Sequence, residues 1–141
     1  MKKRTGDYGQ RPFRVFVLDC EALSPAARGN RKMIALLDVA ARGEAEVVTS
    51  PVTLAEAHDG RTTEQRWDWV LSRLQIVDIG KDEARQARRL LADARLHGHK
   101  HAIDAVLAAI ARQWKGRVTV FTSDVDDLEK LVPGTVVVKK V

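Results

Sequence analysis

Apolar and polar positions alternate between two periods along this chain. The run V-F-V-L after Arg14 has four consecutive apolar residues and ends at Asp19, the pattern of a strand buried on both faces. Residues 31–42 place Met33, Ile34, Leu37 and Ala41 at helical spacing, and Gly43 suits the stop. Glu46 to Thr49 reads as a second strand. Ser50-Pro51 opens a short helix, with proline at its first position, that ends near Gly60. Between the first strand and residue 31, Ser24, Pro25, Gly29 and Asn30 predict a loop.

The second half repeats this alternation. Thr62 or Thr63 caps a helix carrying Trp67, Val70, Leu71 and Leu74 on one face, and QIVDI (75–79) is a third strand. Residues 81–97 predict an amphipathic helix with Ala84, Ala87, Leu91 and Ala94 on its apolar stripe, stopped by Gly98. AIDAVLAAIARQW (102–114) is a helix, VTVFT a fourth strand, DVDDLEKL a short helix and TVVVKK a last strand. No repeat or linker interrupts the pattern. The expectation is a basic arm over 1–13 and a single domain over 14–141. Its class is α/β with a mainly parallel sheet and helices on both faces.

The chain has 141 residues, enough for one domain with a real core. No apolar run approaches the roughly 20 residues that span a bilayer, and the N-terminal arm has no apolar stretch like that of a signal peptide. Cytoplasmic residence is the default expectation. One cysteine, Cys20, excludes an internal disulfide and any site built on several thiolates. The net charge of +5 suggests a polyanionic partner, nucleic acid first; a mild excess of solvated Lys and Arg is the alternative.

Ligands of parallel α/β sheets sit beyond the C-terminal strand ends, and acids occur there. Asp19 closes the first strand and Asp124 follows the fourth. Asp19 can also cap a turn, and Asp124 can cap the helix after it with Asp127 as capping-box partner. Asp104 is the only charged residue in AIDAVLAAIA, a run apolar on nearly every face, so its carboxylate needs a partner. That partner can be a cation, an arginine or the dipole of the helix's first turn. Glu56 lies between two alanines on a short helix, facing solvent or a pocket. Oxygen-only carboxylate sets suit Mg²⁺ or Mn²⁺, which also bind substrate phosphate.

The stretches V-F-V-L-D-C-E-A-L (15–23), S-P-V-T-L-A-E-A (50–57), A-I-D-A-V-L-A-A-I-A (102–111) and V-F-T-S-D-V-D-D-L (120–128) occur in this order. Together they resemble the motifs of PIN-domain ribonucleases, specifically VapC-type toxins of bacterial toxin–antitoxin pairs, across residues 14–141. The resemblance implies a three-layer α/β/α PIN-like fold and metal-dependent hydrolysis of RNA to 5′-phosphate and 3′-hydroxyl ends. It assigns Asp19, Glu56, Asp104 and Asp124 as the catalytic and metal-binding acids for Mg²⁺ or Mn²⁺. Thr122 and Ser123 fill the T-x-D motif beside them, and Asp127 is a supporting acid. Arg28, Arg31, Lys32, Lys100 and Arg112 are the expected RNA phosphate contacts. An antitoxin protein would enter the acidic pocket, and residues 31–42 and 62–74 would supply a homodimer surface. Cys20-Glu21 departs from the family, which commonly has a small hydroxylated residue or alanine after the first Asp.

Two other readings compete. A PIN-like module can bind RNA or protein without cutting; four acids in place argue against a degenerate site. A phospho-receiver regulator needs an acid pair after the first strand, which D-C-E does not supply. His97, His99 and His101 have a spacing poor for one helix face, with Gly98 placing them in a loop. Of Trp67 and Trp69, only one can face inward on a helix.

Overall fold

The computed structural model describes residues 13–141; the arm expected over 1–13 otherwise lies outside them. The elements in chain order are β1 (Arg14–Leu18), α1 (Cys20–Ala27), α2 (Arg31–Ala41), β2 (Ala45–Thr49), α3 (Pro51–Glu56) and α4 (Glu64–Leu71). They continue with β3 (Gln75–Ile76), α5 (Lys81–Ala94), α6 (Gly98–Ala111), β4 (Arg117–Thr122), α7 (Val125–Leu131) and β5 (Val137–Lys140). The strands form one sheet in the order β3-β2-β1-β4-β5, and every pairing is parallel.

Alternation along the central strands fixes two cores. Phe16 and Leu18 of β1 and Phe121 of β4 face one side, where Leu23, Met33 and Leu37 of α1 and α2 cover them. Val15, Val17 and Val120 face the other, against Leu107, Ile110, Trp114 and Leu128. Trp114 thus closes this second core behind α6. Being buried on both faces is why β1 reads as an unbroken apolar run. Alanines make α6 thin: Ala105, Ala108 and Ala109 meet Leu90 and Leu91 of α5.

The caps follow the sequence. Ser50, Thr63 and Asn30 accept from the backbone N–H of Thr53, Arg66 and Met33, and Pro51 occupies the first turn of α3. Trp67 is the inward tryptophan; Trp69 is exposed, with the Arg73 guanidinium 4.7 Å from its ring centroid.

Four expectations need correction. Ser24 and Pro25 lie inside α1, not in a loop. Burial of Leu23, Ala26 and Ala27 outweighs the missing proline N–H, and the Ser24 hydroxyl donates to the Ala57 carbonyl at 2.7 Å. The loop shrinks to 28–30. Second, α5 stops at Arg95, in the left-handed region at φ 57°, rather than at Gly98. A Leu96 N–H to Leu91 carbonyl bond of 3.0 Å closes the turn, with Leu96 packed back on the helix cluster. Gly98 instead begins α6, so His97 is its N-cap residue and His99 and His101 are helical. Third, the buried stripe of α5 is Glu83, Ala87, Leu90 and Leu91, with Ala84 exposed. Fourth, β3 pairs over only two residues of QIVDI, because the chain leaves the sheet edge after the Val77 N–H reaches the Thr49 carbonyl.

Candidate active site

The strand order reverses between β1 and β4: the chain winds outward from β1 to β2 and β3, then returns to the other side of β1. The crevice at this switch point opens at the C-terminal strand ends. Asp19 follows the last residue of β1, and Asp124 stands two residues past β4. The Asp19 N–H bonds to the Phe121 carbonyl at 3.1 Å, stitching the two strand ends together.

Thr122 joins the two acids. Its fully buried Oγ1 accepts the Asp124 N–H at 2.9 Å. Its single O–H is thereby left to donate to the Asp19 carboxylate, where it lowers that group's pKa. The opposing effect is larger. Burial raises Asp19 from 3.8 to about 6, despite the Thr122 hydroxyl and the Ala22 N–H that its Oδ1 accepts at 3.1 Å. Asp19 is thus both the N-cap of α1 and a wall of the crevice.

Asp104 enters from α6. Because α6 begins at Gly98, Asp104 lies in the second turn, beyond reach of the N-terminal dipole. Among the described residues no arginine or lysine ion pair reaches it. Burial first, then the carboxylates of Asp124, Asp19, Glu56 and Asp127, raise it from 3.8 to about 7. Asp19 after β1, Glu56 of α3, Asp124 before α7 and Asp127 of α7 thus each disfavour its charge. Glu56 is exposed at the end of α3; the Cys20 thiol donates to Glu21 Oε1 at 4.0 Å, and burial, with the Glu56 charge, pushes that thiol's pKa up. The departure at Cys20 therefore still presents a donor.

Asp124 is the N-cap residue of α7, yet its side chain makes no capping bond. Its pKa is raised by desolvation and by Asp127, with His101 partly offsetting. Asp127 itself faces His101 Nδ1 at 3.5 Å and Lys130 at 3.7 Å. Ser123 is exposed.

The expected phosphate contacts scatter. Arg28 is held by Asp59 at 2.8 Å. Arg31 and Lys32 are exposed in the first turn of α2, and Lys100 in that of α6. Arg112 caps the opposite end of α6 and reaches the Leu131 carbonyl at 3.4 Å, so it does not join the acids. The sequence reading set His101 aside, with His97 and His99, as a residue at the helix entry; it is buried and sits three residues before Asp104 on the same helix face. That reading passed over Thr49, whose buried hydroxyl donates to the Leu18 carbonyl at 2.6 Å and fixes the end of β1. The first was signalled by its i,i+3 spacing; the second carried no local signal.

No protein-family model matches the chain, and no curated protein matches it. A solved structure shares its fold. The crystal structure of VapBC2 from Rickettsia felis, bound to a DNA fragment from its promoter, contains a chain that superposes with a TM-score of 0.65 at 16% identity. The match covers 90% of this chain and 98% of that one. At that identity the likeness is one of fold, and the α/β/α architecture with a parallel sheet is the one the sequence led us to expect.

The donor set has the chemistry of a hard-cation site: oxygen only, and no cation of the protein paired with Asp19, Glu56, Asp104 or Asp124 among the described residues. As the side chains stand, no three His, Cys, Asp or Glu among the described residues are arranged to hold a metal ion. Mg²⁺ keeps most of its waters and binds through one or two carboxylates plus substrate phosphate, so it does not require such a triad. No helix among the described residues is long and apolar enough to cross a membrane.

Proposed function

We propose that this chain is a metal-dependent endoribonuclease that hydrolyses RNA phosphodiester bonds, and the toxin of a toxin–antitoxin pair. The observation that carries this reading is the acid cluster at the switch point, in which Asp104 is raised to about 7 by burial and by its fellow carboxylates. A fold does not keep an unpaired, mutually repelling acid set for stability. A cation resolves the repulsion, and a basic chain with an acidic centre then suits a polyanion.

Asp19, Glu56, Asp104 and Asp124 would hold Mg²⁺ or Mn²⁺. When bound, such an ion supplies a water of lowered pKa and stabilises charge on the scissile phosphate. The chain's own residues position and tune. Thr122 fixes the direction of Asp19 and the backbone of Asp124 with one hydroxyl. Asp127, held by His101 and Lys130, backs Asp124. The fold shared with VapBC2 supports an antitoxin protein as partner. A homodimer through the α2 and α4 region, where Trp69 is exposed, and a cytoplasmic location belong to the same reading.

The absence of a ready three-ligand arrangement favours a second reading, a PIN-like module that binds RNA or protein without cutting. Cleavage of end-labelled structured and unstructured RNA in Mg²⁺ or Mn²⁺ separates the two. Cutting that disappears with EDTA and with Asp104→Asn is the expected result. Intact RNA together with no Mn²⁺ heat in calorimetry would overturn the nuclease reading.

A further inference from the structure

The sheet is not covered evenly. On the face packed by α1 and α2, α1 covers Phe121 at the C-terminal end of β4, while Thr119 is half-buried and Val137 and Lys139 of β5 are exposed. Register aligns Arg14 of β1 with Arg117 of β4, then Phe16 with Thr119 and Val137, then Phe121 with Lys139. Alternation puts all of these on one face. Val137, the first residue of β5, is 50% exposed there although it is apolar. A concavity of about 380 Å³ lies over this area, lined by Arg14, Phe16, Arg117, Thr119, Val137 and Lys139 among others, with no carboxylate in its lining. Arg14 lies over the Phe16 ring at 5.7 Å and touches Glu44 at 3.9 Å from outside the concavity. The side chains of Arg117 and Lys139 are exposed and engaged in no ion pair among the described residues.

We infer that this open, cationic sheet face is a track for the phosphate backbone of single-stranded RNA, leading into the acidic crevice. The inference rests on the nuclease reading. Charge complementarity selects the occupant: three cations around a concavity without a carboxylate fit a polyanion, and because the Phe16 ring beneath them is buried the contacts are to phosphate rather than to stacked bases. Continuity selects its direction. The rows from Arg117 to Phe121 span about 13 Å along the strands. The last row, Leu18 with Phe121 and Lys139, is one residue short of Asp19; Leu18 and Phe121 are buried, so Lys139 is its open member. A strand following the cations past Lys139 is brought to the C-terminal strand ends, where the acids stand. None of the arginines and lysines expected from the sequence does this; the track is built from the ends of strands.

Arg117→Gln with Lys139→Gln tests it, since both side chains are exposed and the fold does not depend on them. Binding of a labelled single-stranded RNA of about 12 nucleotides, within the site sizes of single-strand binders, is followed by anisotropy in EDTA across a salt series. The log–log salt slope should fall by about 0.7 for each phosphate contact removed, so by ~1.4 in the double variant, with affinity down about tenfold. In Mg²⁺, KM for the same RNA should rise with kcat unchanged, while a dinucleotide too short for the track is cut as by the parent. An unchanged slope and KM, with metal-dependent cleavage intact, would overturn the track and leave the active-site reading standing. RNA binding intact but binding of an acidic polyglutamate peptide lost would also overturn it, in favour of a protein segment. A parent chain that neither binds nor cuts RNA would overturn both.

Discussion

Replacing Asp104 by Asn should stabilise the metal-free protein, and by an amount that depends on pH. The carboxyl is raised from 3.8 to about 7 by burial and by four neighbouring acids. At 1.36 kcal/mol per pKa unit, the full shift corresponds to about 4 kcal/mol against the ionised form. Asp104 is only partly buried, so solvent screening reduces this to about 2 kcal/mol. The sign follows from proton linkage. Between pH 3.8 and about 7 the folded chain binds the proton more tightly than the unfolded one. Stability is therefore whole below pH 3.8, falls as pH rises through the window, and stays reduced above 7.

Asn keeps the shape, cannot ionise, and offers an N–H to the remaining carboxylates. In EDTA at about pH 8, the variant should melt higher by about 7 °C, taking a domain of this length at about 3–4 °C per kcal/mol. At about pH 4 the two proteins should melt together. Mg²⁺ at about 100 times its Kd should raise the parent by about 2.7 kcal/mol and the variant much less, narrowing or reversing the gap. Differential scanning calorimetry at the two pH values, with and without Mg²⁺, reads all of this. A variant that melts lower at the alkaline pH would show that Asp104 serves a structural ion pair. An equal gain at both pH values would show that charge repulsion is not its source. Either result refutes the reasoning.

Three further outcomes are expected. Thr122→Val strands the Asp124 N–H and removes the donor to Asp19; denaturant unfolding should show a loss of about 1–3 kcal/mol, with cleavage reduced further than stability explains. Gly116→Ala should destabilise by more than about 2 kcal/mol in the same assay, because Gly116 has φ 97° and a Cβ there would strike the Phe13 carbonyl. Mn²⁺ affinity by calorimetry should fall as pH drops through about 7 and about 6, the pKa values of Asp104 and Asp19, since the ion must displace those protons; affinity independent of pH in that range would place the ion elsewhere.

Elements whose signal is local were legible in the sequence. The apolar run of β1 is written in consecutive residues, the Ser50-Pro51 entry to α3 and the Thr63 cap rest on contacts within a few residues, and the structure has all three in place. Features decided by distant contacts were not. Pro25 reads as a break until α1 is seen lying on the sheet with Ser24 tied to Ala57. Gly98 is a local exception: it reads as a stop because nothing in its residue type marks Arg95 for the left-handed turn that Leu96 closes on Leu91. The site shows the same division. Asp19 and Asp124 stand at strand ends, and strand ends are legible; Asp104 is conspicuous as a lone charge in an apolar helix. Nothing local marks Arg117 and Lys139 as neighbours across the register of β4 and β5, so the sequence pointed instead to cations near the motifs in the chain.

The acids and the cationic face are two consequences of one placement of β4. Its C-terminal end meets that of β1 at the switch point, so Thr122 can bind groups from both sides of the crevice. Strand β4 is bordered by β5, whose Val138 packs into the core with Leu128 of α7 while Val137 and Lys139 on its other face are exposed. A parallel sheet normally needs both faces covered. Here the last strand is short, carries Lys139 and Lys140, and stays open on one side, which also guards an exposed edge against pairing with other chains. The charges that protect the edge are the ones that, in our reading, receive the substrate. Edge protection alone would be satisfied by glutamate as well as by lysine; only a polyanionic ligand requires the positive sign, and a Lys139→Glu chain that folds and melts normally but no longer binds RNA would separate the two roles.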